Sequence, residues 1–125
     1  RFCAEMLPRC KWDLLPFGFL YDLYEAWFPK AGLYEKPQTK KVFIDCLLTY
    51  LKEDSDWSVD NRYLLVDENN MPMPEPLIAE YNLKNWINKD YHGDNIDMIC
   101  SPVVQSKYKG IYRNGKQSSD TEGIA

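Results

Sequence analysis

Two stretches in the first half of the chain place apolar residues at helical spacing. The first, Pro16 to Phe28, carries a wide apolar stripe and predicts a helix. We expect Pro29 to end that helix, because proline lacks an amide hydrogen and its ring clashes with the preceding turn. The second stretch predicts the most regular amphipathic helix, with Thr39 capping its first free amides. Its apolar positions follow i, i+3, i+4, i+7 and i+8: Phe43, Cys46, Leu47, Tyr50 and Leu51.

The segments on either side of the first helix are less regular. Residues 1–8 predict a short helix that a proline ends, and residues 9–16 predict an irregular connector that buries Trp12. Residues 29–37 contain a glycine and two prolines. We therefore expect a tight connection between the two helices.

The second half of the chain mixes strand and helix signals. Residues 57–66 predict one or two strands around a turn, and residues 75–88 return to helical spacing. Residues 96–100 predict a short helical turn. Residues 107–113, KYKGIYR, alternate around a glycine and predict a strand. Residues 114–125 are rich in Gly, Ser, Gln and Asp and predict a disordered tail.

Together these elements predict one domain over residues 1–113, mainly α-helical with a small β-ribbon, hence α+β. The order helix, turn, helix, strand or hairpin, inserted helix and strand matches a winged-helix-like helix-turn-helix with an insertion. In such a domain the second helix enters the DNA major groove by its N-terminal turn, and the wing contacts phosphates. Segment 71–104 departs from this minimal plan. It leaves the position of the wing open and could carry a protein contact instead.

Length and composition fit a folded domain. The chain has 125 residues, of which 45% are apolar and 14% aromatic, which is enough for a core. It begins at Arg1, so we expect a fragment of a larger chain. No window reaches the roughly 18 apolar residues of a membrane span, and the N-terminus has no signal-peptide pattern. We expect no membrane contact and a cytoplasmic location.

The cysteines and the single histidine do not form a recognisable site. No two cysteines form a CxxC pair, and His92 is far from all of them in sequence, so we expect no metal site. A disulfide framework is possible by count, but we favour free, buried thiols in a reducing compartment, with Cys46 on an apolar helix face. The sequence suggests no nucleophile or acid to partner His92. We therefore expect no catalytic residues and no cofactor.

The net charge of −4 is unevenly distributed. Residues 30–41 carry +3 and residues 107–116 carry +4, whereas residues 42–106 hold twelve acids against four bases. Solvated surface is the plain explanation of such runs. However, the two basic blocks fall at the start of the second long helix and on the last strand. These are the two places where a winged helix contacts DNA.

The two blocks supply candidate contacts with double-stranded DNA. One set precedes and opens the second long helix: Lys36, Gln38, Thr39, Lys40 and Lys41. The other lies on or beside the last strand: Lys107, Lys109, Arg113 and Lys116. Arg62, at a turn, could also reach a phosphate. The alternatives are that Thr39 is only a helix cap and that the strand lysines prevent edge-to-edge pairing of the sheet with another chain. Lysines at a helix N-terminus oppose the helix dipole, which favours binding over stabilisation.

The aromatic residues allow a second interpretation. Four tryptophans and nine tyrosines could stack on the bases of single-stranded DNA. Most of them lie at helical spacing, which is more typical of a core. Tyr108 and Tyr112 are the exceptions, because they flank basic residues.

Three segments resemble the C-terminal domain of phage and plasmid primase-helicases. They are KWDLLPFGFLYDLYEAWFPK at 11–30, MPEPLIAEYNLKNW at 73–86 and KYKGIYR at 107–113. Such proteins are similar to the poxvirus primase-helicase and carry a superfamily III AAA+ motor, and the replication initiators of staphylococcal pathogenicity islands share this organisation. The resemblance covers roughly residues 2 to 113 and includes no catalytic motif.

The resemblance implies a DNA-binding domain, C-terminal to the motor of a hexameric ATP-dependent helicase, that recognises repeats of a replication origin in a bacterial host cell. The phosphate-binding loop GxxxxGK[ST] is absent, so we expect no ATP hydrolysis from this chain. We expect the isolated domain to be a monomer. One alternative is a domain that docks a primase, polymerase or regulatory partner through its acidic region. An enzyme fragment is the third and least favoured hypothesis.

Overall fold

The computed structural model describes residues 2–32, 36–53 and 56–114, and within them the chain is a small α+β domain. The helices are α1 (Phe2–Met6), α2 (Phe17–Lys30), α3 (Lys40–Glu53), α4 (Leu77–Glu80) and α5 (Ile96–Ile99), with 3-10 turns at Leu7–Arg9 and Lys84–Trp86. The strands are β1 (Leu14–Pro16), β2 (Trp57–Val59), β3 (Leu64–Leu65), β4 (Lys107–Tyr108) and β5 (Gly110–Arg113). The predicted tail, apart from Asn114, lies outside the described residues.

Strand β5 is the centre of a three-stranded antiparallel sheet with the order β1-β5-β2. Ile111 pairs with Leu15 on one side and with Val59 on the other, and its side chain is fully buried. The prediction for residues 9–16 was wrong, because Leu14–Pro16 is a strand. Its three residues are all buried, so the segment lacks the alternation that identifies a half-buried strand.

Strands β3 and β4 continue the β2–β5 ribbon. Leu64 pairs with Tyr108, whereas the adjacent ladder ends at Val59 and Ile111. Residues 60–63 therefore stand opposite residues 109 and 110, and this excess of residues on one strand bulges the ribbon. Residues 66–106, which we call the insertion, join β3 to β4 at the end of this ribbon.

Helix α2 matches its predicted start, but Pro29 does not end it. The helix runs to Lys30, and the N–H of Ala31 still donates to the Trp27 carbonyl at 2.9 Å. Gly32 then takes φ +77° and donates to the Pro29 carbonyl at 3.1 Å. A residue in the left-handed region with this bond is a common helix stop, and glycine adopts that region without strain.

Helix α3 begins as predicted after Thr39, but its apolar face is narrower than the sequence suggested. Phe43, Leu47 and Leu51 are buried, whereas Cys46 is exposed. The prediction that Cys46 is buried was therefore wrong. The helix is buried along a single row at i, i+4 and i+8 (Phe43, Leu47, Leu51), and a residue at i+3 lies at the margin of that row.

The continuous helix predicted over residues 75–88 was also wrong. Helix α4 stops at Glu80, and Asn82 adopts φ +51°. The N–H of Asn82 donates to Ala79 and that of Leu83 to Ile78, which is the paired-bond pattern of a Schellman stop. Asparagine is the residue after glycine that best tolerates this conformation.

Two buried polar residues fasten the insertion to the domain, Asn70 through its backbone carbonyl and Glu75 through its side chain. The Asn70 side chain accepts the Asp67 amide at 2.9 Å and donates to the Leu65 carbonyl at 2.8 Å. The Asn70 backbone carbonyl accepts the amides of Asp13 and Leu14 at 2.7 Å each. Glu75 is the second, and its contacts are with the segment that leads into β1. The insertion therefore has a fixed position against the body.

The core has an aromatic cluster between the first three helices. Phe2 makes edge contacts with Tyr24, Trp27 and Phe43, with ring centroids 5.3–5.6 Å apart. Such pairs each add about 0.5–1.5 kcal/mol beyond the area they bury. A second cluster joins Trp12, Phe19 and the insertion's Trp86. The prediction that Trp12 is buried is confirmed.

Candidate nucleic-acid interface

The first turn of α3 combines exposed ammonium groups with a capped helix N-terminus. The Thr39 hydroxyl accepts the Val42 amide at 3.4 Å, and the Thr39 carbonyl accepts the Phe43 amide at 2.8 Å, so Thr39 caps the helix. Lys40 and Lys41 are both exposed on this turn. Their charges add to the partial positive charge of the helix N-terminus and can attract an anion.

The position of this turn is fixed by two tyrosines on α2. The Tyr24 hydroxyl accepts the Gln38 amide at 3.1 Å, and the Tyr21 hydroxyl donates to the Gln38 carbonyl at 2.8 Å. The side-chain oxygen of Gln38 lies 3.9 Å from the Cys46 sulfur on α3. The connector before α3, in which Lys36 is also exposed, is therefore joined at Gln38 to the middle of α2.

The second block forms a lysine pair on the ribbon. The ammonium groups of Lys107 and Lys109 lie 5.1 and 5.2 Å from the centroid of the Tyr63 ring, within range of a cation–π interaction. Both lysines are exposed, and so is Tyr63, at 54%. Sequence reasoning missed Tyr63, which stands in the bulge opposite this strand and which no local pattern connects to the lysines.

The two basic blocks approach the same turn, the start of α2. The Phe17 amide donates to the Lys109 carbonyl at 3.1 Å. On the neighbouring residue, Gly18, an added Cβ would stand 4.0 Å from the Lys40 ammonium. Lys40, through its ammonium group, and Lys109, through its backbone carbonyl, thus flank one helical turn although 69 positions separate them in the sequence.

The two candidate arginines have partners within the domain. Arg62 bonds both carboxylate oxygens of Asp60, with Nε–Oδ1 at 3.2 Å and Nη2–Oδ2 at 3.0 Å, and these bonds lower the pKa of Asp60. Arg113 donates to Asp13 at 2.6 Å and to the Cys10 carbonyl at 2.9 Å, and it stacks on a tryptophan of β2. Arg113 therefore fixes β5 to the body. Lys116 lies outside the described residues.

The four cysteines are free, and burial disfavours the thiolate form of three of them. Burial raises the pKa of Cys3 to about 11 and also raises the pKa values of Cys10 and Cys100. Among the residues that the structure describes, no group of three His, Cys, Asp or Glu side chains could hold a metal ion. Within the same ranges, no helix is both long and apolar enough to cross a membrane.

The comparisons with known proteins identify no relative. No protein-family model, curated protein or solved structure matches the chain.

Proposed function

We propose that this chain is a winged-helix DNA-binding domain that recognises the replication origin of a mobile element. Its parent would be a hexameric helicase, whereas the domain in isolation would be a monomer. The order α1-β1-α2-α3-β2, closed by β5 at the centre of a three-stranded sheet, supports the winged-helix part. In this arrangement α3 is the recognition helix and the β2–β5 ribbon is the wing. The resemblance of three segments to primase-helicases supports the origin-binding part.

The observation that carries the proposal is the meeting of the two basic blocks at the start of α2. Lys40 reaches that turn from α3 by its ammonium group, and Lys109 reaches it from the ribbon by its backbone carbonyl and lines the adjoining groove. Lys41 and the Lys107–Tyr63 pair extend the positive surface on either side. A recognition helix in the major groove and a wing on the adjacent backbone need this spatial relation.

Fluorescence anisotropy with labelled duplex DNA tests the proposal. The domain is titrated with origin-repeat DNA and with scrambled DNA at 50 and 200 mM salt, and specific binding that weakens with salt is expected. Replacing Lys40 and Lys41 by alanine should reduce the slope of log K against log salt by about 0.9 for each phosphate that the variant no longer neutralises. Lys52→Ala, at the other end of α3, is the matched control. Absence of duplex binding at 50 mM salt would refute the proposal.

A second function, docking of a primase, polymerase or regulatory protein, is favoured by the surface of the insertion. Residues 66–106 hold seven acids against two bases, and Ile96, Met98 and Val103 are exposed at 57%, 43% and 73%. Exposed apolar side chains among acids suit a basic, apolar partner. Isothermal titration calorimetry with purified replisome proteins tests it. A partner whose affinity is unchanged by Ile96→Asp does not use this surface.

A further inference from the structure

A groove of about 610 Å³ opens between the start of α2, the insertion and β4. Trp86 and Tyr108 line it, with ring centroids 5.8 Å apart and rings tilted by 46°. The exposed lysines Lys89 and Lys109 line it as well, together with the carboxylates Asp22 and Asp90. One groove therefore offers aromatic surface and two ammonium groups beside two acids, although its residues come from three separate parts of the chain.

The orientation of the aromatic wall is fixed by hydrogen bonds. The Trp86 indole N–H donates to Asp22 at 3.0 Å, and the side-chain amide of Asn85 donates to the same carboxylate oxygen at 3.3 Å. The Tyr108 hydroxyl accepts the Gln105 amide at 3.0 Å. The bonds of Trp86 and Asn85 occupy the Asp22 carboxylate. Together with the bond between Gln105 and Tyr108, they hold both rings in place before any ligand binds. A rigid aromatic wall loses little conformational entropy on binding.

The volume of the groove and the chemistry of its lining residues indicate which class of ligand it can bind. The volume is that of a site for a small molecule, too small for a segment of double helix. Aromatic faces beside lysines are the combination that binds unpaired nucleotides, because bases stack on the rings while phosphates contact the ammonium groups. Lys109 also belongs to the lysine pair of the ribbon. A DNA strand on that ribbon would therefore pass the mouth of the groove.

We propose that this groove binds an unpaired nucleotide of a DNA strand, with its base against Trp86 or Tyr108 and its phosphate on Lys89 or Lys109. The inference rests on the proposed function and deepens it. The domain would hold duplex DNA on α3 and the ribbon, and an adjoining single-stranded nucleotide in the groove. Such a domain binds the boundary between paired and unpaired DNA.

The test compares single-stranded with duplex DNA using matched lysine variants. Labelled oligothymidylate of twelve nucleotides and a duplex of equal length are titrated by anisotropy. Lys89→Ala should weaken binding of the oligothymidylate about 5-fold or more and change duplex binding less than 2-fold. Lys84→Ala is the control, because this exposed lysine also belongs to the insertion but does not line the groove. Equal affinities for the two variants would overturn the proposal.

The aromatic wall is tested separately. Tyr108→Leu should weaken oligothymidylate binding about 5- to 100-fold, whereas Tyr108→Phe, which keeps the ring but loses the bond to Gln105, should weaken it less. Photo-crosslinking of the unaltered domain to an oligonucleotide containing 5-iodouracil, mapped by mass spectrometry, should label Trp86 or Tyr108. Labelling elsewhere would place the base outside the groove and refute the inference. Thymidine monophosphate as a competitor shows whether a free nucleotide suffices or a strand is needed.

The outcomes separate this inference from the proposed function. If the Lys40/Lys41 variant loses duplex binding while Lys89→Ala leaves oligothymidylate binding intact, the groove assignment fails and the proposed function stands. If the unaltered domain binds no duplex but binds oligothymidylate through Lys89, the proposed function fails and the groove assignment stands. Lys89 is exposed, so its replacement leaves the core unchanged.

Discussion

Replacing Glu75 by alanine removes the acceptor that joins the insertion to the start of β1. Glu75 is fully buried, and one of its carboxylate oxygens accepts the amides of Lys11 at 2.7 Å and Trp12 at 3.1 Å. The other accepts the Leu77 amide at 3.4 Å. An alanine reaches none of these donors. The variant therefore leaves amides unpaired and removes two of the hydrogen bonds between segments that lie 63 and 64 positions apart in the sequence.

The magnitude follows from those amides. An unpaired buried donor costs about 1–3 kcal/mol, and the Trp12 amide is the more deeply buried of the two long-range donors. Removing the carboxylate also relieves its own cost of burial, which offsets part of the loss. We expect Glu75→Ala to lower the free energy of unfolding by about 2–4 kcal/mol, a large fraction of the 5–15 kcal/mol typical of a domain.

Urea denaturation followed by tryptophan fluorescence measures this loss. With a denaturant slope of about 2 kcal/mol per molar, the midpoint should fall by roughly 1–2 M. Glu68→Ala, which removes an exposed acid from the same insertion, should change the stability by less than about 0.5 kcal/mol. Hydrogen exchange adds a local readout, since the Lys11 and Trp12 amides should lose protection in Glu75→Ala. Unchanged protection there would refute the role assigned to the carboxylate.

The pH dependence of the free energy of unfolding shows whether burial or hydrogen bonding has the larger effect on the pKa of Glu75. Burial raises the pKa of Glu75 above its ordinary value of 4.5, although the amides of Trp12, Lys11 and Leu77 act in the opposite direction. The folded state therefore keeps a proton that the unfolded state has released. The free energy of unfolding then falls as pH rises from about 4.5 through the folded pKa. Glu75→Gln cannot titrate, so the native chain should lose stability relative to it across that window. A relative gain would mean that the amides outweigh burial.

Two further predictions concern the sheet, and both are measured by urea denaturation. Gly110→Ala should lower stability by about 3 kcal/mol or more, because a Cβ there would stand 2.1 Å from the Leu15 carbonyl oxygen. Its control, Gly18→Ala, meets no atom closer than 4.0 Å and should raise stability by about 0.5–1 kcal/mol, so equal effects would contradict the steric argument. Arg113→Lys should cost about 1–3 kcal/mol, since lysine cannot bond Asp13 and a backbone carbonyl together. An unchanged free energy of unfolding would mean that the Arg113 guanidinium does not fix β5 to the body.

The elements that could be predicted from the sequence are those whose buried residues recur at a regular spacing. Helices α2 and α3 were found because their apolar residues recur every three or four positions. Strand β1 was missed because its three buried residues have no period. Its existence depends on pairing with β5, nearly a hundred residues later. Local periodicity carries no information about such a partner.

The candidate site likewise contains some features that could be predicted from the sequence and others that could not. Exposure of Lys40 and Lys41 follows from their place at a capped helix start, and the structure agrees. The bonds of Arg113 could not be foreseen, because its partners lie 100 and 103 positions away. Tyr63 was missed for the same reason, since it contacts two lysines that only the ribbon brings near.

The insertion links the two proposed binding sites. It leaves the domain from β3 and returns through β4, so its ends are the strands beside Tyr63 and Lys107. Its Trp86 also packs against Trp12, next to the amides that Glu75 binds. A change that loosens the Glu75 hydrogen bonds therefore acts on the aromatic wall of the groove as well as on stability. By contrast, the first turn of α3 is held by hydrogen bonds from tyrosines of α2. Duplex binding and nucleotide binding should accordingly be separable by mutation, even though one lysine-rich surface serves both.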